Sequence, residues 1–362
     1  MQQPIRFSHI SQREFLSTLR QRVDSYFTDK GISKHGNWIM HFKVIFYIGG
    51  MFAFFGALMF GQWTSFWQSL PLWIGLGTFA AFIGLNICHD ALHGSYSNNT
   101  TLNAFLGKFF NIIGANDYVW KIVHNTIHHT YTNIPDMDED LDTGGIIRMS
   151  PSLPLQKFHR YQHFYALPLY CLASLSWIFR KDFSKIFVRR EKGFRYPVHP
   201  TSEYVSLFGF KALHFALFFV MPFIIIPQPW WQVLLGMMVM HFFEGFLLTI
   251  IFVMAHVVEE THFPVPNLDG EIENNWAVHQ LYTTADFAQK NSFLNFIAGG
   301  LNFQIEHHLF PHICHVHYAS LSRIVENTAR EFDLPYINNP TFGSALSSHL
   351  SFLKKMGRQE CL

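Results

Sequence analysis

The sequence has little charge for its length, and this scarcity excludes several classes of protein. Only 14% of its 362 residues are charged, where soluble globular proteins have roughly 25%. Its 26 Lys and Arg are balanced by 25 Asp and Glu, so there is no basic excess of the kind that binds nucleic acid. Its four cysteines lie far apart without a Cys-x-x-Cys pair, which argues against a disulfide framework and a cysteine zinc site. The first 43 residues lack the apolar core of a signal peptide, so we expect no cleavage there.

Apolar residues and histidine are abundant instead, with 49% hydrophobic residues, 40 Phe and 22 His. A helix needs roughly 20 apolar residues to cross a hydrocarbon core about 30 Å thick. Four stretches meet this requirement: 44–61, 71–88, 208–227 and 231–256. Short linkers rich in Trp and Pro join them in pairs, as expected for turns at a membrane interface. The sequence therefore predicts an all-α membrane protein with four transmembrane helices in two hairpins, beneath a cytoplasmic helical cap.

The distribution of basic residues predicts the orientation. No Lys or Arg occurs from 44 to 88 or from 212 to 258. By the positive-inside rule, both termini and the intervening loops face the cytoplasm. The predicted divisions are a cytoplasmic N-terminal segment 1–43, a membrane domain 44–318 with cytoplasmic loops 89–207 and 257–318, and a cytoplasmic C-terminal tail 319–362.

Two short apolar stretches and two charge runs lie between or beside the predicted spans. The apolar stretches 102–115 and 164–179 are short and flanked by basic residues, so we interpret them as interfacial or buried helices. The acidic run 136–142 and the basic run 179–192 are expected to be solvated faces. Either run could instead dock another protein, and the basic one could meet a phosphate.

Histidines concentrate in three motifs, which this topology places at one membrane face. In HDALH, His89 and His93 are four residues apart, a spacing that puts both imidazoles on one helix face. In HNTIHH, the same spacing separates His124 from His128, and His129 follows. QIEHH contains Gln304, His307 and His308, and His256 ends the fourth predicted helix at the same depth.

Eight imidazoles are more than one metal ion needs, since zinc takes about four ligands, so the three motifs predict a site for two metals. Neutral imidazole suits iron, copper, nickel or zinc, and spacing does not choose among them. The neighbouring Asp90, Asn125 and Glu306 are candidates for hydrogen bonds to the ligand imidazoles.

Other histidines are more simply explained without a metal. The intramembrane residues His214 and His241 are expected to be packed or hydrogen-bonded core residues, and Glu244, three positions after His241, can neutralise it. Five more flank the motifs as outer or surface residues: His262, His279, His312, His315 and His317.

The motifs HDALH, HNTIHHTYTN and QIEHHLFP, separated by two membrane hairpins, resemble the three histidine boxes of integral-membrane fatty acid desaturases. Gln304 at the head of the third box, with the segments HVVEETHFP and GGLNFQIEHHLFPHICHVHY, is similar to the front-end and bacterial linoleoyl-CoA desaturase-like branch. The resemblance implies a non-haem di-iron centre whose ligands are His89, His93, His124, His128, His129, His256, His307 and His308, with Gln304 close to the metal.

This resemblance also implies the reaction and its partners. A desaturase introduces a double bond into an acyl chain, carried on CoA, acyl-carrier protein or phospholipid, using O2 and two electrons. Many front-end members carry a fused cytochrome b5 domain with an HPGG haem motif, which this sequence lacks. We therefore expect no haem of its own and a separate donor of ferredoxin or cytochrome b5 type with its reductase.

Three alternatives remain open at this point. A fatty acyl hydroxylase or acetylenase of the same di-iron class shares the boxes. A His-rich membrane metal transporter would place its ligands near the bilayer midplane, whereas these motifs lie outside the spans. A metal-dependent membrane hydrolase would need fewer ligands and no oxygen.

Overall fold

A computed structural model describes residues 5–8, 13–141, 143–188, 190–191 and 194–358. Within these residues, four helices are long and apolar enough to cross a membrane. We label them α1 (Trp38–Phe60), α2 (Phe66–Leu92), α3 (Thr201–Ile225) and α4 (Trp230–His256). Short connections join α1 to α2 and α3 to α4, and α2 packs extensively against α4 and α1. The prediction of a helical membrane protein with four spanning helices is confirmed.

The spanning helices begin earlier than the hydropathy pattern predicts, and in α1 and α2 polar side chains stabilise the first turn. The side chain of Asn37 accepts a hydrogen bond from Ile39 N at the start of α1. Gln68 accepts one from Ser65 N at the start of α2, which then continues through Pro71. The longer helices include two lysines, Lys43 in α1 and Lys211 in α3, and both are buried. An intramembrane lysine is costly unless it is paired, and both are paired here.

The remaining helices form the cap and are mostly short. The stretch 102–115 folds into two of them. The stretch 164–179 lies within two others and the π-helical segment that follows them, and none of these helices is long enough to span. The α-helices outside α1–α4 are Arg13–Lys30, Thr100–Gly107, Phe109–Ile112, Asp117–Trp120, His129–Tyr131, Gln162–Tyr170, Ala173–Ser176, Asp182–Phe187, Trp276–Thr283, Ser292–Ile297, Gln304–Leu309, Tyr318–Glu331 and Phe342–Met356.

Several π-helical and 3-10 turns interrupt these elements. The π segments are Gly84–Cys88 within α2, Lys121–His128, Trp177–Lys181 and Ala216–Val220 within α3. The 3-10 segments are Glu139–Leu141, Lys157–Tyr161 and His315–His317. Three two-residue strand pairs complete the described structure: Arg6–Phe7 is parallel to Glu271–Ile272, Arg190–Glu191 is antiparallel to Phe194–Arg195, and Asp286–Phe287 is parallel to Asn338–Asn339.

Both terminal segments pack onto the cap. Helix Arg13–Lys30 lies against Tyr318–Glu331 through the buried side chains of Phe15 and Leu19. Helix Phe342–Met356 packs on Gln162–Tyr170 and on α4. The cap is therefore built from several distant parts of the chain, and it closes over the cytoplasmic-side ends predicted for α2 and α4, where the histidine motifs lie.

The two charge runs are solvated only in part, because they form two ion pairs with each other. Lys181 Nζ lies 2.8 Å from Asp140 Oδ1, and Lys185 Nζ lies 2.8 Å from Glu139 Oε2. Glu139 is buried and also accepts a hydrogen bond from Tyr196. Asp136 and Arg180 are exposed, so the prediction of solvated faces is wrong only for the paired residues. Asp142, Arg189 and Lys192 lie outside the described residues, as does Cys361.

Candidate metal centre

Four separate segments bring the eight predicted ligands together. His89 and His93 end α2, immediately after its π-helical turn, and His256 is the last residue of α4. His307 and His308 lie on the short helix Gln304–Leu309. All eight imidazoles lie in one cluster in which neighbouring ring centroids are 4.3 to 6.1 Å apart.

The second motif reaches this cluster through a π-helix. In a π-helix, residues five apart lie one above the other, because each hydrogen bond spans i to i+5. His124 and His129 are five apart, and their Nε2 atoms are 3.2 Å apart. His124 and His128 are also close, with stacked rings 5.1 Å apart. The π-helical turn thus lets all three histidines of the motif face the cluster, which an α-helical spacing of four alone does not achieve.

Several sets of ring nitrogens in the cluster lie within 4.8 Å of one another. The set His129, His307 and His308 overlaps two others, and those two share no residue. One consists of His89, His93, His124 and His307, with one ring nitrogen from each within 4.8 Å of the others. The other consists of His128, His256 and His308. His129 lies between them, with its ring 4.6 Å from that of His307 and 4.3 Å from that of His308.

Most of these imidazoles turn Nδ1 outward to a fixed partner, an arrangement that orients metal-binding histidines. Asp138 Oδ2 lies 3.0 Å from His128 Nδ1, and Gln280 Oε1 lies 2.8 Å from His308 Nδ1. Two further outward hydrogen-bond contacts are Tyr318 Oη to His307 Nδ1 at 3.2 Å and Thr283 O to His256 Nδ1 at 3.3 Å. Asp140 and Asp90 lie 3.8 Å from His124 Nδ1 and His89 Nδ1, which are ion-pair distances rather than hydrogen bonds.

Five of the inward nitrogens have no protein partner, which tests whether these residues fit a metal. The Nε2 atoms of five ligands are buried without a hydrogen bond: those of His89, His93, His128, His307 and His308. A buried polar atom left unpaired is unfavourable, so such convergence calls for a ligand. Imidazole nitrogens bind transition metals well, and the donor set therefore fits a metal cofactor.

Burial also favours the protonation state that binds metal. Desolvation, helped by the neighbouring imidazoles, lowers the pKa of four ligands well below the usual value of histidine: His93, His129, His307 and His308. Burial lowers the pKa of His124 to about 3. For His128, burial also lowers the pKa, but Asp138 and Asp140 outweigh it and the net shift is upward. The cluster is therefore predominantly neutral, the form of imidazole that binds metal.

Gln304 lies beside the second donor group. Its side-chain amide nitrogen is 2.7 Å from His256 Nε2, and its amide oxygen is buried without a partner. Gln304 is thus in contact with His256, one of the predicted ligands, and the third motif indicated that it would lie close to the metal.

Two of the expected hydrogen-bond partners lie elsewhere. Asn125 donates to the carbonyl of Leu92, 3.0 Å away, rather than to an imidazole. Glu306 accepts from Tyr336 Oη at 3.0 Å, on the side of its helix away from the cluster. Both residues were singled out for being adjacent to a histidine in sequence, but neighbours on a helix point in different directions. Asp90 is the one of the three that faces a predicted ligand.

The partners that sequence reasoning missed come from distant segments. Gln280 and Tyr318 contact His308 and His307 across 28 and 11 residues, and no local pattern indicates them. Asp138 and Asp140 belong to the acidic run, whose position ten residues after His128 was the only available signal. His279 is likewise buried, with Nε2 2.8 Å from Thr132 O, and supports the cluster indirectly.

An apolar cavity of about 370 Å³ opens onto the cluster. His89, His124 and Gln304 form part of its wall, while Ile146 and Leu172 line it and are exposed. Aromatic and aliphatic side chains make up most of the remaining lining, among them Phe110, Trp120, Trp177, Leu248 and Phe252. The cavity therefore connects the protein surface with the donor groups through a largely apolar passage.

A sequence model of the family described as fatty acid desaturase matches residues 62–340. The chain belongs to the fatty acid desaturase family. It is 34% identical to the sn-1 linoleoyl-lipid 6-desaturase of Synechocystis sp. (strain ATCC 27184 / PCC 6803 / Kazusa), over 98% of both chains. It is also 34% identical to the acyl-lipid (8-3)-desaturase of Physcomitrium patens, over 98% of this chain and 74% of that protein. A third relative, the sn-1 linoleoyl-lipid 6-desaturase of Arthrospira platensis, is 34% identical over 94% of this chain and 92% of that protein.

These comparisons confirm the resemblance that the three histidine motifs indicated, including its front-end-like branch. The chain is a membrane fatty acid desaturase and hence an oxidoreductase acting on lipid acyl chains. The buried histidine groups support a metal cofactor for this desaturase.

Proposed function

We propose that this desaturase uses two iron ions, bound by the eight imidazoles of the cluster, to introduce a double bond into the acyl chain of a membrane lipid. The observation that carries this proposal is the division of the imidazoles into two donor groups beside one apolar cavity. Four imidazoles would hold one metal ion, and the other three together with His129 would hold a second. Iron is favoured because an unactivated methylene must be oxidised, and neutral imidazole suits iron.

The reaction needs a redox metal because side chains cannot oxidise an alkane. Bound iron, with O2, supplies the oxidising chemistry. Overall, two hydrogens leave adjacent methylenes, and O2 takes up these hydrogens, two external electrons and two protons to give two waters. The proposed ligands are His89, His93, His124, His128, His129, His256, His307 and His308, and their convergence supports this set.

The chain itself positions the substrate and excludes water. A methylene carries no polar group that could be recognised, so the walls of the cavity must fix which carbons lie beside His89 and His124. Trp120 stacks on the ring of His124 with centroids 4.2 Å apart, which places an aromatic wall directly at the donor group. The shape of this passage therefore sets the position of the double bond.

An acyl chain esterified to a membrane lipid suits the cavity mouth. Ile146 is 52% exposed and Leu172 is 42% exposed, so the mouth offers apolar surface to a lipid. Arg180 also lines the mouth and can meet a lipid phosphate. The three relatives named above are lipid-linked desaturases by name, which favours this carrier over CoA or acyl-carrier protein.

The same proposal includes the orientation and the electron source. By the positive-inside rule, the active site and both termini face the cytoplasm. There the electrons come from a separate ferredoxin or cytochrome b5 type donor and its reductase. A cysteine placed at Lys157 is expected to react with a membrane-impermeant probe only from the cytoplasmic side, and one at Gln62 only from the other. The reverse pattern would overturn the orientation.

Lipid mass spectrometry with double-bond localisation tests the reaction. Cells that express the chain are expected to gain a lipid with one additional double bond at a single position, and only in the presence of O2. Cells that express His128→Ala to the same level are the control and should gain none. A hydroxylated or acetylenic product would instead favour the related di-iron activities, and a product formed without O2 would exclude this chemistry.

A further inference from the structure

A series of buried polar contacts runs from α1 toward the metal centre. Lys43 lies on α1 and is only 2% exposed. Its ammonium group donates to Asn86 Oδ1 at 2.7 Å and lies 2.8 Å from His315 Nε2. His315 follows the third histidine motif, and neither it nor Lys43 is one of the eight predicted ligands. The contact therefore joins a membrane helix to the cap at a point just behind the donor groups.

This series of polar contacts continues from His315 through Asp90 to His89. His315 Nδ1 lies 2.9 Å from Asp90 Oδ2. Asp90 Oδ1 lies 3.8 Å from His89 Nδ1, an electrostatic contact that is longer than a hydrogen bond. An ammonium group can only donate, so His315 Nε2 accepts from Lys43 and its Nδ1 carries the proton that is donated to Asp90. The order of donors and acceptors is thus determined from Lys43 as far as the carboxylate.

Asp90 needs this support because it is 1% exposed. A buried carboxylate is unfavourable unless charge and hydrogen bonds compensate it. Asp90 Oδ2 accepts from Cys314 Sγ at 2.9 Å and from the backbone N of His315 at 3.2 Å, but neither donor brings a positive charge. Lys43, acting through the His315 ring, is the compensating cation.

We propose that Lys43 and His315 are positioning residues of the metal centre, which hold the Asp90 carboxylate against His89 Nδ1. The carboxylate favours the His89 tautomer with its proton on Nδ1, and this tautomer leaves the Nε2 lone pair for the metal. The inference rests on the proposed metal site, and it adds an intramembrane lysine to the groups that determine metal retention.

The geometry favours this role over a separate metal site at Asp90, Cys314 and His315. The donor atoms of these three residues lie close enough to share an ion. However, both ring nitrogens of His315 are already in hydrogen bonds, and an ammonium group lies 2.8 Å from one of them. These hydrogen bonds need no metal ion, and the Lys43 ammonium group already places a positive charge where a metal ion would bind.

Metal retention tests the proposal without relying on activity. The purified full-length protein, loaded with iron, is incubated with a chelator, and bound iron is followed by elemental analysis. Lys43→Met is expected to weaken retention about 10- to 100-fold, the usual effect of losing a partner of a ligand histidine. Lys211→Met is the matched control, because Lys211 is also a buried membrane lysine, paired with Asp182 at 2.7 Å but not linked to a ligand. It should retain iron like the wild type.

Two variants of His315 separate positioning from simple packing. His315→Gln preserves one acceptor and one donor, so it can bridge Lys43 and Asp90 and is expected to keep most of the iron. His315→Leu cannot bridge them and should lose iron as Lys43→Met does. Equal loss in both variants would overturn the proposal, and this comparison also decides the matter if Lys43→Met does not fold.

A double-mutant cycle tests whether Lys43 acts through Asp90. Asp90→Asn already removes the carboxylate, so adding Lys43→Met should cause little further loss of iron, and the two effects should not multiply. Independent, multiplying effects would overturn the proposal, as would wild-type retention in Lys43→Met. If the wild type itself bound no iron, the proposed metal site would be wrong, and this outcome is distinct from the others.

Discussion

A buried histidine pair in the membrane, His214 and His241, can be compared with the buried histidine cluster of the candidate metal centre. In the membrane, His241 Nδ1 lies 3.2 Å from Glu244 Oε2, much as His128 Nδ1 lies 3.0 Å from Asp138 in the cap. His214, with Nδ1 2.8 Å from Ile112 O, is the only other histidine whose ring lies near His241 among the described residues, with ring centroids 5.7 Å apart. Burial, an Nδ1 atom with a hydrogen-bond partner and a buried Nε2 atom without one are therefore found in both groups.

The difference lies in the number of donors that converge. In the cap, four imidazoles in one group and three in the other bring ring nitrogens within 4.8 Å of each other. Among the described residues, no such group of three includes His214 or His241. Instead, Phe219 stacks on His241 at 5.2 Å and Phe218 lies 4.9 Å from His214. Convergence of several nitrogens, rather than burial, distinguishes a metal site from a packed histidine pair, and the expectation that these two are core residues is confirmed.

The largest predicted effect contrasts the two groups directly. Replacing any one of the eight cap imidazoles by alanine, for example in His128→Ala, removes a ligand and is expected to abolish desaturation and reduce bound iron. His214→Ala should keep most activity and all of the iron, because that ring only packs and binds a backbone carbonyl. Product analysis and elemental analysis of the same preparations measure both. Loss of iron in His214→Ala would end the distinction between the groups.

A smaller effect is expected from the two carboxylates that contact histidines. Asp138→Asn weakens the orientation of His128 and should lower iron affinity about 10- to 100-fold, which corresponds to roughly 1.4 to 2.8 kcal/mol. Glu244→Gln makes the same chemical change in the membrane pair and should leave iron affinity unchanged. Chelator titration of both variants provides the comparison. Similar iron affinities in the two variants would show that the carboxylate in the cap has no special role.

Gln304 provides an intermediate case. An amide is a poor ligand for iron, so Gln304→Ala is expected to slow turnover while leaving two irons bound. Gln304→His is expected to retain activity, because an imidazole can replace the amide as a polar group beside His256. Turnover and iron content, measured on both variants, test the assignment. Complete loss of one iron in Gln304→Ala would make Gln304 a direct ligand.

The smallest effect should come from Tyr318. Its hydroxyl lies 3.2 Å from His307 Nδ1, a neutral contact that is long for a hydrogen bond to oxygen. Tyr318→Phe keeps the buried ring and removes only this contact, so iron retention should fall by less than in Asp138→Asn. Chelator kinetics on the two variants give the ranking. If Tyr318→Phe proved the more damaging variant, orientation by charge would not be the main contribution of the outer partners.

The sequence predicted that these histidines lie close together, because their spacing is local. Residues four apart share a helix face whatever the tertiary structure, so His89 with His93, and His124 with His128, could be recognised. The π-helical turn that brings His129 to the same cluster could not be recognised, because it depends on packing of the surrounding cap. The same holds for Gln280, which reaches His308 from a separate helix.

The charged segments show where local reasoning fails. Asp140 and Lys181 are 41 residues apart, and each looks solvated when its own run is considered alone. Their pairing follows from the path of the chain between them, which hydropathy does not determine. Hydropathy also did not predict that Lys43 and Lys211 are buried in membrane helices. Their buried partners, His315 and Asp182, are remote in sequence.

The metal stoichiometry of the purified protein tests the two-metal site most directly. Elemental analysis of the active desaturase is expected to give two irons per chain, and the variants His89→Ala and His256→Ala, one from each donor group, should each lower that number. A single zinc per chain, together with full activity in the absence of O2, would contradict the account.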